Sequence, residues 1–130
     1  MSESINKTIL VVEDEAALQD AIKVKLQKEG FNYVSATSGE EALILLEKQK
    51  PDVIWLDLLM PGMGGFAFLE KLRSTEVYKN LPVYVVSVSA GPEKIRRAFE
   101  LNVVDYIVKS QYKLEDIVGK MKTFLNNGKK

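Results

Sequence analysis

Residues 52–65 read DVIWLDLLMPGMGG. An apolar run, Val53 to Leu56, ends on the carboxylate Asp57, and Pro61, Gly62, Gly64 and Gly65 follow closely. A short apolar run rich in β-branched and aromatic residues, bounded by Pro51 and a Pro/Gly cluster, reads as a β-strand over Val53–Asp57. The run does not alternate with polar residues, which marks a strand covered on both faces, as in a parallel sheet. A buried charge without a partner is costly. A strand ending on Asp57 therefore points to chemistry at that end, with the glycine-rich loop bringing backbone close to it.

The same reading extends in both directions. Thr8–Val12 is a second continuous apolar run, and Phe31–Ser35 is a weaker one. Val83–Val88, opened by Pro82, and Val103–Val108 complete five strands. Helical spacing fills the gaps. Leu18, Ile22 and Leu26 share one face, with Gly30 suited to the position just past the helix end. Ser38 is placed to cap a helix carrying Ala42, Leu45 and Leu46, which Pro51 stops. Phe66, Leu69 and Leu72 suggest a short helix, and Pro92 suits the start of one carrying Ile95, Ala98 and Phe99. Leu114, Ile117, Val118, Met121 and Phe124 mark the last, which Gly119 weakens by roughly 1 kcal/mol relative to alanine. Trp55, Phe99, Phe124 and the leucine stripes are assigned to the core, and Arg96 and Arg97 to a solvated helix face. Strict alternation of five strands and five helices predicts an α/β fold: a doubly wound, five-stranded parallel sheet of order 2-1-3-4-5, flavodoxin-like (βα)5.

The chain has 130 residues, enough for one domain, with its core expected over about 7–125 and a frayed tail over 126–130. Basic and acidic residues balance at 18 each, so no charge excess favours nucleic acid or an anionic membrane as partner. The absence of cysteine excludes disulfides and thiolate chemistry, and the absence of histidine removes the commonest general base and zinc ligand. Ile9–Val12 is too short for a signal peptide or a membrane span, which points to the cytoplasm.

In the predicted order, the first and third strands are neighbours, and ligands bind outside the carboxyl ends of strands at such a switch point. Glu13 and Asp14 end the first strand and Asp57 the third, so three carboxylates meet in one pocket. Like charges this close demand a proton or a cation. No arginine ends a neighbouring strand, and a hard divalent ion such as Mg²⁺ answers the repulsion. Ser87 adds a hydroxyl from the fourth strand and Lys109 an ammonium from the fifth. Metal, ammonium and hydroxyl together suit a phosphoryl group, and a carboxylate can itself accept one as an aspartyl phosphate. Asp57 lies at the centre of that mouth.

This ordered set resembles the receiver domain of bacterial response regulators, chemotaxis-regulator-like in form, over roughly residues 7–125. The matching residues are Glu13-Asp14 after ILVV, Asp57 followed by LLMPGMGG, Ser87 after Pro82, and Lys109 after VDYIV. The resemblance implies that Asp57 accepts phosphoryl from a phosphohistidine on a sensor histidine kinase or phosphotransfer protein. It implies that Asp14, Asp57 and the backbone carbonyl of Leu59 ligate Mg²⁺, that Glu13 acts through water, and that Lys109 contacts the phosphoryl group. Ser87 would shift toward the phosphate and let Tyr106 rotate inward, changing the surface of the fourth helix, fifth strand and fifth helix toward a downstream protein. A phosphorylation-dependent homodimer is also within the resemblance. Direct binding of nucleic acid or membrane is not. If the chain is whole, it is a stand-alone receiver; otherwise an output domain follows.

Two residues depart from the family pattern. Val88 follows Ser87 where many relatives carry a small residue. Ser110 follows Lys109 where a cis proline is usual, leaving either a non-proline cis bond costing about 2.5–4 kcal/mol or a trans bond with a displaced lysine. A pseudo-receiver that binds without being phosphorylated is the alternative. Enzyme readings fit less well: a haloacid-dehalogenase-type phosphatase needs DxD after the first strand, where VEDEA stands. A flavin carrier needs a phosphate-cradling loop there, which EDEAAL would repel.

Overall fold

In this computed structural model, residues 6–127 are described. The strands are β1 (Thr8–Val12), β2 (Asn32–Ala36), β3 (Val53–Leu56), β4 (Val83–Ser87) and β5 (Asp105–Val108). The helices alternate with them: α1 (Ala16–Lys28), α2 (Gly39–Lys48), α3 (Gly64–Arg73), α4 (Pro92–Glu100) and α5 (Leu114–Asn127). A single 3-10 turn, Lys109–Gln111, precedes α5. All strands pair in parallel in the order β2-β1-β3-β4-β5, as the alternation predicts. Of the tail expected over 126–130, residues 126 and 127 continue α5, and 128–130 lie outside the described residues.

Local signals act where they stand. The Ser38 hydroxyl accepts the Glu41 N–H at the start of α2, Pro92 opens α4, and Gly30 turns the chain out of α1 at φ 95°. Boundaries shift by one or two residues where tertiary contacts decide them. Phe31 does not join β2; its N–H bonds to the Leu26 carbonyl and its ring enters the core. Val103 and Val104 bring the chain up from α4, so β5 begins at Asp105. Asp57 falls just beyond β3, although its N–H still donates to Val12 O at 3.0 Å. Val88 lies beyond β4 with 61% of its surface exposed.

The continuous apolar strands feed two cores. Leu10, Val12, Ile54, Leu56, Val83 and Val85 face α2, α3 and α4. Ile9, Val11, Val53, Trp55, Tyr84 and Val86 face α1 and α5. Successive strand residues point to opposite faces, so each run supplies both layers and needs no polar alternation. Phe124 packs against the second core, but Phe99 corrects its expected place: it is 45% exposed. The short α4 buries only Ala98, and Phe99, one residue on, is turned about 100° away from the sheet. Arg97 is more than a solvated residue. Its guanidinium stacks 4.2 Å over Phe66 and pairs with Glu70, docking α4 on α3.

Arg73, at the end of α3, clamps the pole opposite the strands' carboxyl ends. It donates to the carbonyls of Leu101 (2.7 Å), Leu81 (2.9 Å), Lys79 (3.1 Å) and Asn102 (3.3 Å). These bonds satisfy carbonyls at the end of α4 and in the loop before β4. Among the described residues, no helix is long and apolar enough to cross a membrane.

Candidate functional site

The strand order brings the ends of β1 and β3 side by side, and β4 and β5 follow on one flank. Glu13 leaves β1 almost fully buried, at 1% exposure, while Asp14 turns into solvent. Asp57, just past β3, is 4% exposed. Glu13, Asp14 and Asp57 each offer a carboxylate oxygen within 4.8 Å of the others. That is the expected meeting of acids distant in the chain. All three are hard oxygen donors, the type a hard divalent cation takes, and one of them opens to solvent.

Lys109 supplies the counter-charge. Its Nζ donates to Glu13 Oε1 at 2.9 Å and lies 3.6 Å from Asp57 Oδ2. No cis peptide bond occurs among the described residues, so Lys109–Ser110 is trans; the lysine still reaches the acids, from the start of the 3-10 turn. Burial and the neighbouring charge of Glu13, with a smaller push from Asp14, hold the Asp57 carboxyl above its ordinary pKa. The Leu59 N–H, 3.2 Å from Asp57 Oδ1, and Lys109 oppose that rise. Burial alone would lower the Lys109 pKa, but the hydrogen bond to Glu13 and the charges of Asp57 and Glu13 outweigh it and leave the ammonium above its usual value. Lys109 is therefore a firm cation between two acids.

The loop after Asp57 explains its glycines. Gly65 donates its N–H to Leu58 O at 3.1 Å, and a Cβ there would lie 2.5 Å from Leu58 Cα and 2.7 Å from Asp57 O. Only a residue without a side chain lets α3 start this close to the acid. Gly62 adopts φ 77°, and Glu40 from α2 accepts the N–H of Met63 beside it. Leu59 itself is 49% exposed.

Ser87 is fully buried at the end of β4, and its Oγ accepts the Ser89 N–H at 3.3 Å. Tyr106 on β5 is 9% exposed and donates its hydroxyl to Ser89 O at 2.6 Å. The ring is therefore largely buried and tied to the loop after β4. Lys94 from α4 reaches Ser89 Oγ at 2.6 Å, so α4, β4 and β5 all converge on this loop.

Sequence reading missed Gln19, Lys94 and Arg73. Gln19 was detectable: with Ile22 and Leu26 it forms the buried stripe of α1, where a polar residue is out of place. Lys94 and Arg73 sit where surface helix residues of any role would sit, and their partners are backbone carbonyls or a serine that no pattern marks.

Comparison with known proteins agrees with this geometry. A family model described as the response regulator receiver domain matches residues 9–122. The transcriptional regulatory protein YvrH of Bacillus subtilis is 36% identical over 111 residues, which cover 85% of this chain and 46% of that protein. The chain thus spans about half the length of the curated relatives it matches. The phosphorylated cyanobacterial phytochrome response regulator RcpA superposes with a TM-score of 0.81 at 30% identity, covering 92% of this chain and 94% of that one. The Mn²⁺-bound form of response regulator Rcp1 superposes with a TM-score of 0.75 at 26% identity, covering 91% of each.

Proposed function

The chain belongs to the response regulator receiver domain family of two-component signalling, and on that premise we propose that it is a phosphorylation-driven switch with Asp57 as phosphoacceptor. The observation that carries the reading is the joint placement of three carboxylates within 4.8 Å and Lys109 against two of them. An Asp57 oxygen attacks the phosphorus of a phosphohistidine on a sensor histidine kinase or phosphotransfer protein. The P–N bond breaks, a P–O bond to Asp57 forms, and the departing imidazole takes up a proton. Asp14, Asp57 and the Leu59 carbonyl are the residues to ligate Mg²⁺, with Glu13 acting through water; the Mn²⁺-bound Rcp1 supports a divalent ion in this family. Once bound, the ion supplies charge neutralisation for the phosphoryl oxygens.

Lys109 exchanges its carboxylate partners for a phosphoryl oxygen, and the Ser87 hydroxyl moves to donate to another. Because Ser89 is bonded to both Ser87 and Tyr106, that movement is passed to β5 and, through Lys94, to α4. The responding surface is that of α4, β5 and α5, where Phe99 already lies exposed for a downstream protein or a second copy of the chain. The balanced net charge supports protein partners rather than nucleic acid, and the cytoplasm is the expected location. On this reading the protein is a signalling domain that promotes its own phosphotransfer and dephosphorylation.

The test is treatment with acetyl phosphate and Mg²⁺ followed by intact-mass measurement. The chain should gain one phosphoryl group, and Asp57→Asn should gain none. A wild-type chain that gains no mass from acetyl phosphate, phosphoramidate or a phosphorylated kinase is a binding module of the same fold instead.

A further inference from the structure

We propose that Gln19 is a positioning residue for the acidic cluster: its side-chain amide holds the backbone of Glu13 in place against the mutual repulsion of the carboxylates. The proposal rests on the metal-site reading above and assigns a role to a residue outside it.

Gln19 sits on α1 with 6% of its surface exposed. Its Nε2 lies 2.9 Å from Glu13 O, 3.0 Å from Ala36 O and 3.1 Å from Val11 O, so its two hydrogens serve three carbonyls, one of them shared. Its Oε1 accepts the Tyr33 hydroxyl from β2. The amide can face only one way. Turning it over would set its oxygen against three carbonyl oxygens and leave the tyrosine hydroxyl facing an amide nitrogen. The orientation is therefore fixed by its partners, and Tyr33 locks it from behind.

The position of these carbonyls gives the bonds their consequence. The sheet ladder of β1 ends at Val12, and β2 ends at Ala36, its partner. Beyond that point the chain carrying Glu13 and Asp14 is held by one backbone bond to β2, Glu13 N to Ala36 O at 3.0 Å. Each of three carboxylates offers an oxygen within 4.8 Å of the others at this end, and among the described residues Lys109 alone balances them. Like charges at such range push apart. The repulsion acts on a segment that has left the ladder, and the Gln19 amide ties that segment to the ends of both β1 and β2 at once. Ligand groups held in place before an ion arrives bind it more tightly, and outer partners of metal ligands commonly change affinity by about 10–100-fold.

Gln19→Met removes the amide at nearly constant volume. Tyr33→Phe keeps the Gln19 donors and removes only the lock behind them. Leu26→Ala, on the same helix and remote from the cluster, serves as the control for general loss of stability. The probe is Mn²⁺ alone, titrated calorimetrically into each metal-free protein under conditions where each is folded. In parallel, amide exchange of Glu13 is followed in the metal-free state. The expected result is a rise in the Mn²⁺ dissociation constant of about tenfold for Gln19→Met and a smaller rise for Tyr33→Phe. Leu26→Ala should stay within twofold of wild type, and the Glu13 amide should exchange faster in the first two variants than global stability explains. A Gln19→Met constant within twofold of wild type overturns the inference while leaving the metal site standing. If Gln19→Met does not fold, the Tyr33→Phe constant and exchange rate decide by the same criterion. Failure of the wild-type chain to bind Mn²⁺ saturably overturns the metal-site reading itself, and this inference with it.

Discussion

Two glycine-to-alanine substitutions should move this protein in opposite directions. At Gly65 a Cβ would stand 2.5 Å from Leu58 Cα, 2.7 Å from Asp57 O and 2.9 Å from Leu58 Cδ2. Carbon atoms pack best at about 3.5–4.0 Å, so the start of α3 and the chain after β3 must separate by roughly 1 Å. Two of the three obstructing atoms are backbone, so no side-chain rotation relieves the clash. Overpacking of this kind costs about 1–3 kcal/mol. The displacement falls on the Asp57–Leu58 peptide, and a misplacement of about 1 Å at a reacting group can slow a reaction about a hundredfold. Gly119 has nothing within 4 Å of its notional Cβ and lies inside α5. Alanine there should stabilise by about 0.5–1 kcal/mol, since it restricts the unfolded chain and meets no obstacle. Urea denaturation measures both stabilities, and the initial rate of acetyl phosphate labelling, in buffer where each variant is folded, measures the site. Gly65→Ala should lose about 2 kcal/mol and label at least tenfold more slowly, whereas Gly119→Ala should label at the wild-type rate. A Gly65→Ala protein with wild-type stability and rate, or a Gly119→Ala protein destabilised to the same extent, would refute the close-approach account.

Asp57→Asn should stabilise the metal-free protein at neutral pH, because the wild-type carboxylate is disfavoured there by burial and by Glu13. The Asp57 pKa is raised on folding by burial and by Glu13, so the wild type has its full stability below the ordinary carboxylate pKa and loses part as pH rises through the folded value. The gap between variant and wild type should therefore close near pH 3, which urea melts across pH would show. Lys109→Met should leave Glu13, 1% exposed, as an unpaired buried charge. The expected cost is about 3 kcal/mol, the low end for a broken buried pair because Lys109 keeps 20% of its side chain in solvent. Saturating Mg²⁺ should restore part of that loss, visible as a larger rise in Tm than wild type shows. Arg73→Met removes charged donors from the carbonyls of Leu101, Leu81, Lys79 and Asn102 and should cost about 2–3 kcal/mol. Amides near the end of α4 should exchange faster in that variant, with acetyl phosphate labelling little changed.

Much of the fold was legible because its signals are local. Unbroken apolar runs at Thr8–Val12 and Val53–Leu56 can hardly be other than strands covered on both sides, and Ser38, Pro92 and Gly30 punctuate the helices through backbone chemistry. The acidic cluster was legible for a related reason: charged residues at the ends of buried strands are conspicuous, and the doubly wound order that the alternation fits sets those ends side by side. Phe99 shows the limit. Its spacing matches a core stripe, but how much of α4 the sheet covers depends on how α4 docks, which Arg97, Phe66 and Glu70 decide from separate elements.

From composition and pattern came the class of fold, a known strand order that fits it, the acids that such an order gathers at the strand ends, and the exclusion of thiol and imidazole chemistry. Distances, burial and partners came only with the folded chain. The tertiary structure decided that Glu13 is buried and Asp14 exposed, that Lys109 reaches both buried acids although its bond to Ser110 is trans, and that the Gln19 amide bonds the Glu13 carbonyl. The physical reason is range. Backbone preferences and periodicity act over a few neighbours in the chain, whereas a hydrogen bond or ion pair between residues as far apart as 13 and 109 exists only once the whole sheet has set their separation.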